Sequence, residues 1–319
     1  MIITMRNTET REISAKIDEL HEERGEAALG RVLTLLVSTN EASLEHDLEV
    51  ANNASREHPC RVIAIAPSSR NTADEERDGT THVTFLDGEI RFGSDAGAGE
   101  IIVLRPRGGL VHHPDTLVIP LLVPDAPVVA WWPNEAPANP SEDLLGAMAH
   151  NRITDAINSS NPIRTMNDLR RNRSSKNVDL SWTRLTVWRA MLASMLDQPP
   201  HLPVTGVRLA GPKDYLPLNL LAAWLRLRLN APVTIEDDPD AKALTGVYLT
   251  RDDGVLSLER PSTDAGVCVI SVPGQSPQAV SAPARTPEEC LSEELGRLYP
   301  DDIYTEVIAQ GWEFIHPQR

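Results

Sequence analysis

Three arginines offer the clearest potential chemistry in the sequence, which is anion binding. Arg70 follows a pair of serines, and Arg105 and Arg107 stand just before a glycine pair. If the strands ahead of them are parallel, these segments follow the carboxyl ends of strands, where open α/β sheets bind ligands. Guanidinium groups beside glycine amides would suit a phosphate. The alternative is that these are surface loops whose arginines pair with the abundant carboxylates.

Motifs for catalysis, metals or cofactors are otherwise missing from the sequence. The glycine cluster at residues 93–99 lacks the third glycine of a dinucleotide fingerprint and runs into a predicted strand rather than a helix. His112 and His113 are adjacent, so their side chains diverge, and a third ligand at a suitable spacing is lacking. Nucleophile-elbow, zinc-protease, P-loop and EF-hand patterns are absent. We therefore predict neither a catalytic residue nor a metal or cofactor site.

An amphipathic segment from Asp179 to Gln198 is the best-defined helix that the sequence predicts, and two prolines end it. One arc of this helix contains the following residues: Trp182, Leu185, Trp188, Arg189, Leu192, Met195 and Leu196. Two interpretations stay open. The arc is either a packing face whose arginine is satisfied internally, or part of it, including the Arg184 edge, contacts another protein.

The pair Trp131-Trp132 permits a similar choice, since alternation along a strand sends the two indoles to opposite faces. We expect Trp132 to lie in the core and leave Trp131 as either core or an exposed anchor. The candidate partner-binding residues are therefore Trp131, Trp182, Arg184, Trp188 and Arg189.

Helices and strands alternate in the first half of the chain. Ile13, Ile17 and Leu20 recur at helical spacing and predict an opening helix. The sequence predicts strands at residues 31–37, 61–66, 83–86, 89–92, 101–104, 116–122, 128–132 and 152–157, with Asp87-Gly88 as a hairpin turn. A helix between the first two strands makes a βαβ unit, which indicates a largely parallel sheet.

The second half predicts another mixed α/β unit. Leu218, Leu221, Leu225 and Leu229 form the buried stripe of one helix. Predicted strands lie at residues 204–209, 233–235, 247–250, 255–258 and 267–272, and helices begin at a capping box near residue 286 and at about residue 302. We place the domain boundary in the polar segment 158–177, which gives two α/β domains, residues 1–168 and 169–319.

Composition limits the possible partners. The chain has 319 residues, of which 46 are acidic and 30 basic, for a formal net charge of −16. Such a charge repels phosphate backbones and anionic lipids, so we expect neither nucleic-acid nor membrane binding. Three cysteines without metal spacing, and no apolar run long enough to span a membrane, indicate a cytoplasmic protein.

Three segments together resemble one protein family. They are residues 121–133 (LLVPDAPVVAWWP), 152–156 (RITDA) and 179–189 (DLSWTRLTVWR). The chain is similar in these segments to the OpcA family, the glucose-6-phosphate dehydrogenase assembly proteins, and residues 30–35 and 58–63 also resemble its actinobacterial members.

The resemblance implies a non-catalytic protein that binds glucose-6-phosphate dehydrogenase, raises its activity or assembles its oligomer, and so supports the oxidative pentose phosphate pathway and NADPH supply. It implies no ligand site. Some relatives couple activation to thioredoxin through cysteines, but Cys60, Cys268 and Cys290 are far apart in this sequence. The alternative from the residues themselves is an α/β enzyme or metabolite sensor that binds a sugar phosphate through Arg70, Arg105 and Arg107.

Overall fold

A computed structural model describes residues 1–24, 32–67, 84–92, 99–261 and 266–317 of the chain. These residues form two compact units. The first consists of Met1–Asp155 and Pro287–Pro300, and the second of Ala156–Thr286 and Asp301–Arg319. Each unit contains its own sheet, in agreement with the predicted mixed α/β class.

The regular elements are as follows. The strands are β1 (Ile2–Thr8), β2 (Leu33–Ser38), β3 (Cys60–Ile65), β4 (Leu86–Phe92), β5 (Glu100–Pro106), β6 (Val128–Trp132), β7 (Asn151–Thr154), β8 (Asn177–Asp179), β9 (Gly206–Gly211), β10 (Val233–Asp237), β11 (Gly246–Arg251), β12 (Gly254–Glu259), β13 (Val267–Ser271) and β14 (Gln278–Ser281). The helices are α1 (Thr10–Arg24), α2 (Leu44–Ala54), α3 (Pro114–Val118), α4 (Leu144–Met148), α5 (Pro162–Arg171), α6 (Leu180–Thr183), α7 (Thr186–Leu196), α8 (Leu216–Leu229), α9 (Pro287–Gly296), α10 (Asp302–Glu306) and α11 (Trp312–Ile315).

The strands of the first unit lie side by side in the order β1-β4-β5-β3-β2-β6-β7. Neighbouring strands pair in parallel from β5 through β3, β2 and β6 to β7. The strand β4 pairs antiparallel with β5 on one side and with β1 on the other. The strands β2, β3 and β6 are largely apolar runs because both faces of such a sheet are covered. The prediction of a largely parallel first sheet is confirmed.

Two helices cover opposite faces of this sheet. Ile13, Ile17 and Leu20 of α1 lie in a core with Ile63 and Ile90. Full burial of one such isoleucine contributes about 1.5–3 kcal/mol. The helix α2 buries the predicted stripe of Leu44, Leu48 and Ala51, contacts β3, and also contacts α9.

The predicted hairpin at Asp87-Gly88 is wrong, since both residues lie inside the continuous strand β4. Gly88 lies at a close approach of α1 to the sheet and not in a turn. A Cβ at this position would lie 2.7 Å from the Cδ1 atom of Ile13, so a larger residue would require the Ile13 side chain to shift. Residue 83, where the first of the two predicted strands begins, lies outside the described residues.

The strand predicted at residues 116–122 is also wrong. This segment forms α3 and a 3₁₀ turn at Ile119–Leu121. Pro114 occupies the first turn of α3 and Pro120 lies in the 3₁₀ turn, positions where a missing N–H does no harm. The edge strand β1 was not predicted, because its residues alternate weakly and only Thr8 among them is fully buried.

The second unit has a sheet in the order β10-β9-β11-β12-β13-β14. The strands β9 and β10 are parallel and the others antiparallel, with the predicted tight turn between β11 and β12. The helix α8 contacts β9 and β10, and residues from Leu216 to Leu225 on it are buried over most of its circumference. The edge strand β14 was not predicted from the sequence.

The predicted helix from Asp179 to Gln198 is interrupted. The side chain of Asp179 caps α6, but the helical ladder breaks at Arg184 and Leu185 before α7 begins. The carbonyl oxygen of Thr183, which would accept from α7 in a continuous helix, accepts instead from Nη1 of Arg285 at 2.9 Å. The side chain of Arg285 therefore takes the carbonyl oxygen that a continuous helix would use in its own hydrogen bonding.

The compact units divide the chain at residues 155 and 156, before the polar segment in which we expected the boundary. In addition, α9 belongs to the first unit although its sequence neighbours belong to the second. The sequence contains no local signal that the chain returns to the first unit at α9. The capping box and apolar stripe of α9 predict a helix, but they do not indicate which unit this helix packs against. The boundary after residue 168 stays a prediction about domains.

Candidate functional site

The edge formed by the carboxyl ends of β2 and β6 is the place where a sheet of this topology binds ligands. The strand β2 pairs with β3 on one side and with β6 on the other, so the strand order reverses beside it. Doubly wound sheets hold phosphates in this crevice, on the amino end of the following helix. Here that helix is α2.

The chain's own polar groups fill this position. The carboxylate of Asp47, in the first turn of α2, accepts hydrogen bonds from Oγ1 of Thr39 and from Nδ2 of Asn134 at 3.0 Å. Asp47 is only 3% exposed, and this burial raises the pKa of its carboxyl group although both hydrogen bonds lower it. The connecting residues 39–43 contain no glycine. A phosphate would meet a carboxylate there, so the crevice does not suit a dinucleotide.

Arg105 and Arg107, two members of the predicted phosphate site, both lie beside carboxylates in the structure. Arg105 pairs with Glu41 at 3.3 Å and with Glu89 at 3.0 Å. The guanidinium of Arg107 lies 3.9 Å from the Asp87 carboxylate. Carboxylates of the same unit therefore lie beside both arginines, while the Nε of Arg107 is buried without a hydrogen-bond partner in the described part of the chain. Arg70, the third member, lies outside the described residues.

The ion pairs extend from Arg105 across the sheet. Glu89 bonds Arg91 at 2.6 Å, and Arg91 bonds Glu45 of α2 in a bidentate pair at 2.6 and 2.9 Å. Glu45 and Glu89 raise the pKa of Arg91, and Arg91 lowers that of Glu45. This network joins β4 and β5 to the start of α2, so its role is structural.

Both tryptophans of the Trp131-Trp132 pair are buried, being 2% and 3% exposed. Trp132 lies in the core with α1, as predicted. Trp131 is not the exposed anchor that the sequence left open, and its indole Nε1 has no hydrogen-bond partner within the described part of the chain. Its burial removes it from direct contact with a partner in this conformation.

Trp182 and Trp188 are buried as well, with 0% and 3% of their surface exposed. The indole Nε1 of Trp182 donates to Asp301 at 3.0 Å, and the guanidinium of Arg189 lies 3.8 Å from its ring centroid. Arg260 lies over Trp188 at 5.1 Å. The aromatic face therefore packs inside the second unit. Arg189 stacks on it, and its Nη2 donates to Oγ1 of Thr186 at 3.3 Å.

A neighbouring face of α7, which shares Met195 with the aromatic arc, borders a groove that the sequence did not reveal. This groove has a volume of about 340 Å³ and lies between α7 and the strands β13 and β14. Its walls include Val187, Met191, Met195, Ile270, Gln278 and Val280. Among the described residues that line it, none is charged. Depletion of charge with enrichment of methionine is typical of the centre of a protein interface.

Other chemistry is sparse among residues 1–24, 32–67, 84–92, 99–261 and 266–317. No group of three or more metal-ligating side chains occurs there, and His112 and His113 lie on a short 3₁₀ turn and at its end. The cysteines Cys60, Cys268 and Cys290 are buried and unbridged. Burial raises the pKa of the Cys60 thiol to about 12. No helix in the described ranges has the length and apolar character needed to cross a bilayer.

The fold and its crevice define a two-unit α/β protein of the doubly wound class whose usual phosphate position is occupied by its own carboxylate. Two family models match the sequence. Residues 51–171 match the N-terminal domain, and residues 175–308 the C-terminal domain, of the family described as the glucose-6-phosphate dehydrogenase subunit. The chain belongs to the OpcA family of glucose-6-phosphate dehydrogenase assembly proteins.

Comparison with solved structures gives distant similarities. A dehydrogenase from Chromobacterium violaceum is 7% identical, with a TM-score of 0.48 over 90% of this chain and 94% of that one. A protein described as an oxidoreductase, from Magnetospirillum magnetotacticum MS-1, is 10% identical, with a TM-score of 0.43 over 86% and 97% of the two chains. No curated protein matches the sequence.

Proposed function

We propose that this protein binds glucose-6-phosphate dehydrogenase and raises its activity without catalysing a reaction itself, acting in the cytoplasm to support the pentose phosphate pathway and NADPH supply. The observation that supports this most directly is the pair of family matches, which together extend from residue 51 to residue 308 and name both domains of a dehydrogenase subunit. Activation by a binding protein requires only that it bind one state of the enzyme better than another.

The site geometry supports a binding role more than a catalytic one. The crevice at the carboxyl ends of β2 and β6 is closed by the bonds of Asp47 to Thr39 and Asn134. The arginines that would have bound a sugar phosphate are paired with Glu41, Glu89 and Asp87. The alternative of a sugar-phosphate enzyme or sensor acting through these arginines therefore has little support from the structure.

We place the docking surface for the dehydrogenase at the uncharged groove beside α7. The groove combines apolar walls with exposed polar groups, among them Ser194, Ser276 and Gln278. It adjoins β14, the last strand of its sheet, whose outer edge can accept a strand from a partner. Arg184, at the turn before α7, is partly exposed and is the candidate partner-binding residue best placed to extend this surface.

A titration tests the proposed function. The protein is added to purified glucose-6-phosphate dehydrogenase from the same cell, while NADPH production is followed by absorbance and the mass of the complex by light scattering. Saturable activation together with a heavier complex is the expected result and gives the stoichiometry. The proposal would be contradicted if adding the protein changes neither the dehydrogenase rate nor the mass measured by light scattering, at any substrate concentration and with or without reductant.

A further inference from the structure

Three arginines of the second unit line a single small cavity. Arg184 comes from the turn between α6 and α7, Arg260 follows β12, and Arg285 lies in the segment ahead of α9. The cavity has a volume of about 90 Å³. These residues are distant in sequence, so no motif could have indicated that they converge.

Arg260 is built into the wall of this cavity. It is 5% exposed, its Nη2 donates to the carbonyl oxygen of Ala282 at 2.8 Å, and its guanidinium lies over the Trp188 ring. Its Nε is buried and has no hydrogen-bond partner in the described part of the chain. A buried donor without an acceptor is unfavourable, so an oxygen ligand that reaches it would be bound more tightly.

The charge of the cavity is opposite to that of the whole chain. The chain has 46 acidic residues against 30 basic ones, yet none of the described residues that line this cavity is acidic. The remaining walls are largely apolar, including Leu185, Trp188 and Pro217. Apolar walls lower the local dielectric and so strengthen the attraction of three guanidinium groups for an anion.

We propose that this cavity binds a phosphate group. A volume of about 90 Å³ is large enough to admit a tetrahedral oxyanion. A dianion with several acceptor oxygens matches three guanidinium groups better than a monovalent carboxylate does. Pro283 and Ala284 at the cavity are exposed, so the group can be inorganic phosphate or the phosphate of a larger metabolite that extends into solvent.

The experiment uses the full chain alone, without the dehydrogenase, so its outcome does not depend on the proposed function. Isothermal titration calorimetry measures the binding of inorganic phosphate, glucose 6-phosphate, glucose and acetate. We expect saturable binding of phosphate and none of glucose or acetate. If glucose 6-phosphate binds more tightly than phosphate, the ligand is a phosphorylated metabolite. If glucose 6-phosphate binds more weakly than phosphate, the ligand is the free ion. Both results support the site.

Variants then locate the binding. Arg184→Gln and Arg285→Gln change partly exposed side chains and should each weaken phosphate binding roughly 10-fold or more. The control is Arg208→Gln, which removes an exposed arginine of the same unit that pairs with Glu236 and should leave binding unchanged. Circular dichroism verifies folding, and Arg260→Gln is added where it folds. Absence of saturable phosphate binding, or equal affinity in the wild type and both cavity variants, would overturn the proposal.

Discussion

The guanidinium of Arg189 lies 3.8 Å from the ring centroid of Trp182, and both residues belong to the segment that the sequence left open to either core packing or partner contact. Trp182 in turn donates from Nε1 to the carboxylate of Asp301. The other oxygen of Asp301 accepts from the backbone N–H of Tyr304 at 2.8 Å and so caps α10. Trp182 therefore links α6, α7 and α10, and its first role is to hold the second unit together.

The stability of the second unit should depend strongly on Trp182. Trp182→Ala removes a fully buried side chain, so we expect the free energy of unfolding to fall by about 3–5 kcal/mol. Trp182→Phe keeps most of the volume but loses the bond to Asp301 and should cost less. Urea denaturation followed by circular dichroism measures both effects.

Tyr299→Ala is the control for this comparison, because Tyr299 is 68% exposed and its loss should change the free energy of unfolding by no more than about 0.5 kcal/mol. Equal stability of Trp182→Ala and the wild type would contradict the packing described above. The large expected effect also means that a loss of dehydrogenase activation in Trp182→Ala would report unfolding and not a lost contact.

Much of the fold follows from sequence patterns, and the exceptions have physical causes. The apolar runs of β2, β3 and β6 and the stripes of α2 and α8 are strong signals, because burial on both faces or on one stripe determines the residue types directly. Gly88 gave a false turn signal because a glycine needed for helix approach and a glycine needed for a turn look the same in sequence. Both α3 and β1 are too weakly periodic to identify locally.

The candidate site was less predictable than the fold. The arginine at 105 was correctly placed near the end of a strand, but its pairing with Glu41 and Glu89 depends on the packing of α2 beside β4 and β5. The groove depends on β14 and α7, which are far apart in the chain. Relationships of this kind are set by tertiary packing, and a single sequence has no local record of them.

The buried carboxylate of Asp47 should make stability depend on pH. Its pKa is raised in the folded protein because burial disfavours the charged form. The resulting destabilisation is absent below the unfolded pKa of about 3.9, grows as pH rises through that value, and is complete above the raised folded pKa. The uncharged amide introduced by Asp47→Asn would still offer an oxygen to Thr39 and Asn134. This variant should therefore gain stability relative to wild type with rising pH.

Urea denaturation at a series of pH values between 3 and 8, roughly the range over which aspartates and histidines titrate, measures this difference. Asp18→Asn, which changes an exposed carboxylate on α1, should show no comparable gain. A difference between Asp47→Asn and wild type that is constant with pH, or that falls as pH rises, would refute the assignment of the shift to burial.

Arg105 should act on stability and not on ligand binding. Arg105→Gln leaves Glu41 without its partner and weakens the restraint on Glu89, which keeps its bond to Arg91. Because these groups are partly exposed, we expect a loss of about 1–2 kcal/mol that shrinks at high salt. Arg171→Gln, at an exposed pair with Asp168, provides the comparison. Sugar-phosphate binding that disappears in Arg105→Gln would instead support the alternative enzyme or sensor.

The cysteines should be unreactive in the folded protein. Burial raises the pKa of Cys60 to about 12, so at pH 8 only about one thiol in 10⁴ is ionised. Ellman's reagent should therefore react slowly with the native chain and with all three cysteines after denaturation, and dithiothreitol should not alter activation of the dehydrogenase. The variant Ser276→Cys adds an exposed thiol that should react at once. Rapid labelling of the cysteines in the native chain, or activation of the dehydrogenase that changes with reductant, would instead support redox control of this protein.

The docking surface can be tested with two neighbouring positions on α7. Ser194 lines the groove and Ala193 does not, although both are exposed on the same helix. Ser194→Glu places a carboxylate in a surface that is otherwise uncharged, and burying it unpaired against a partner should weaken binding of the dehydrogenase about 10-fold or more. Ala193→Glu introduces the same charge and a similar effect on the helix dipole, so its affinity should stay close to wild type.

Biolayer interferometry with immobilised dehydrogenase measures both affinities, and thermal unfolding establishes that the two variants are equally stable. Loss confined to Ser194→Glu would place the interface at the groove. Equal affinities for the two variants, whether both unchanged or both reduced, would show that the groove is not part of the interface. The wild-type titration separately tests whether the protein binds the dehydrogenase at all. A partner that bonds to the β14 edge should, in addition, protect the backbone amides of Gln278–Ser281 from hydrogen exchange.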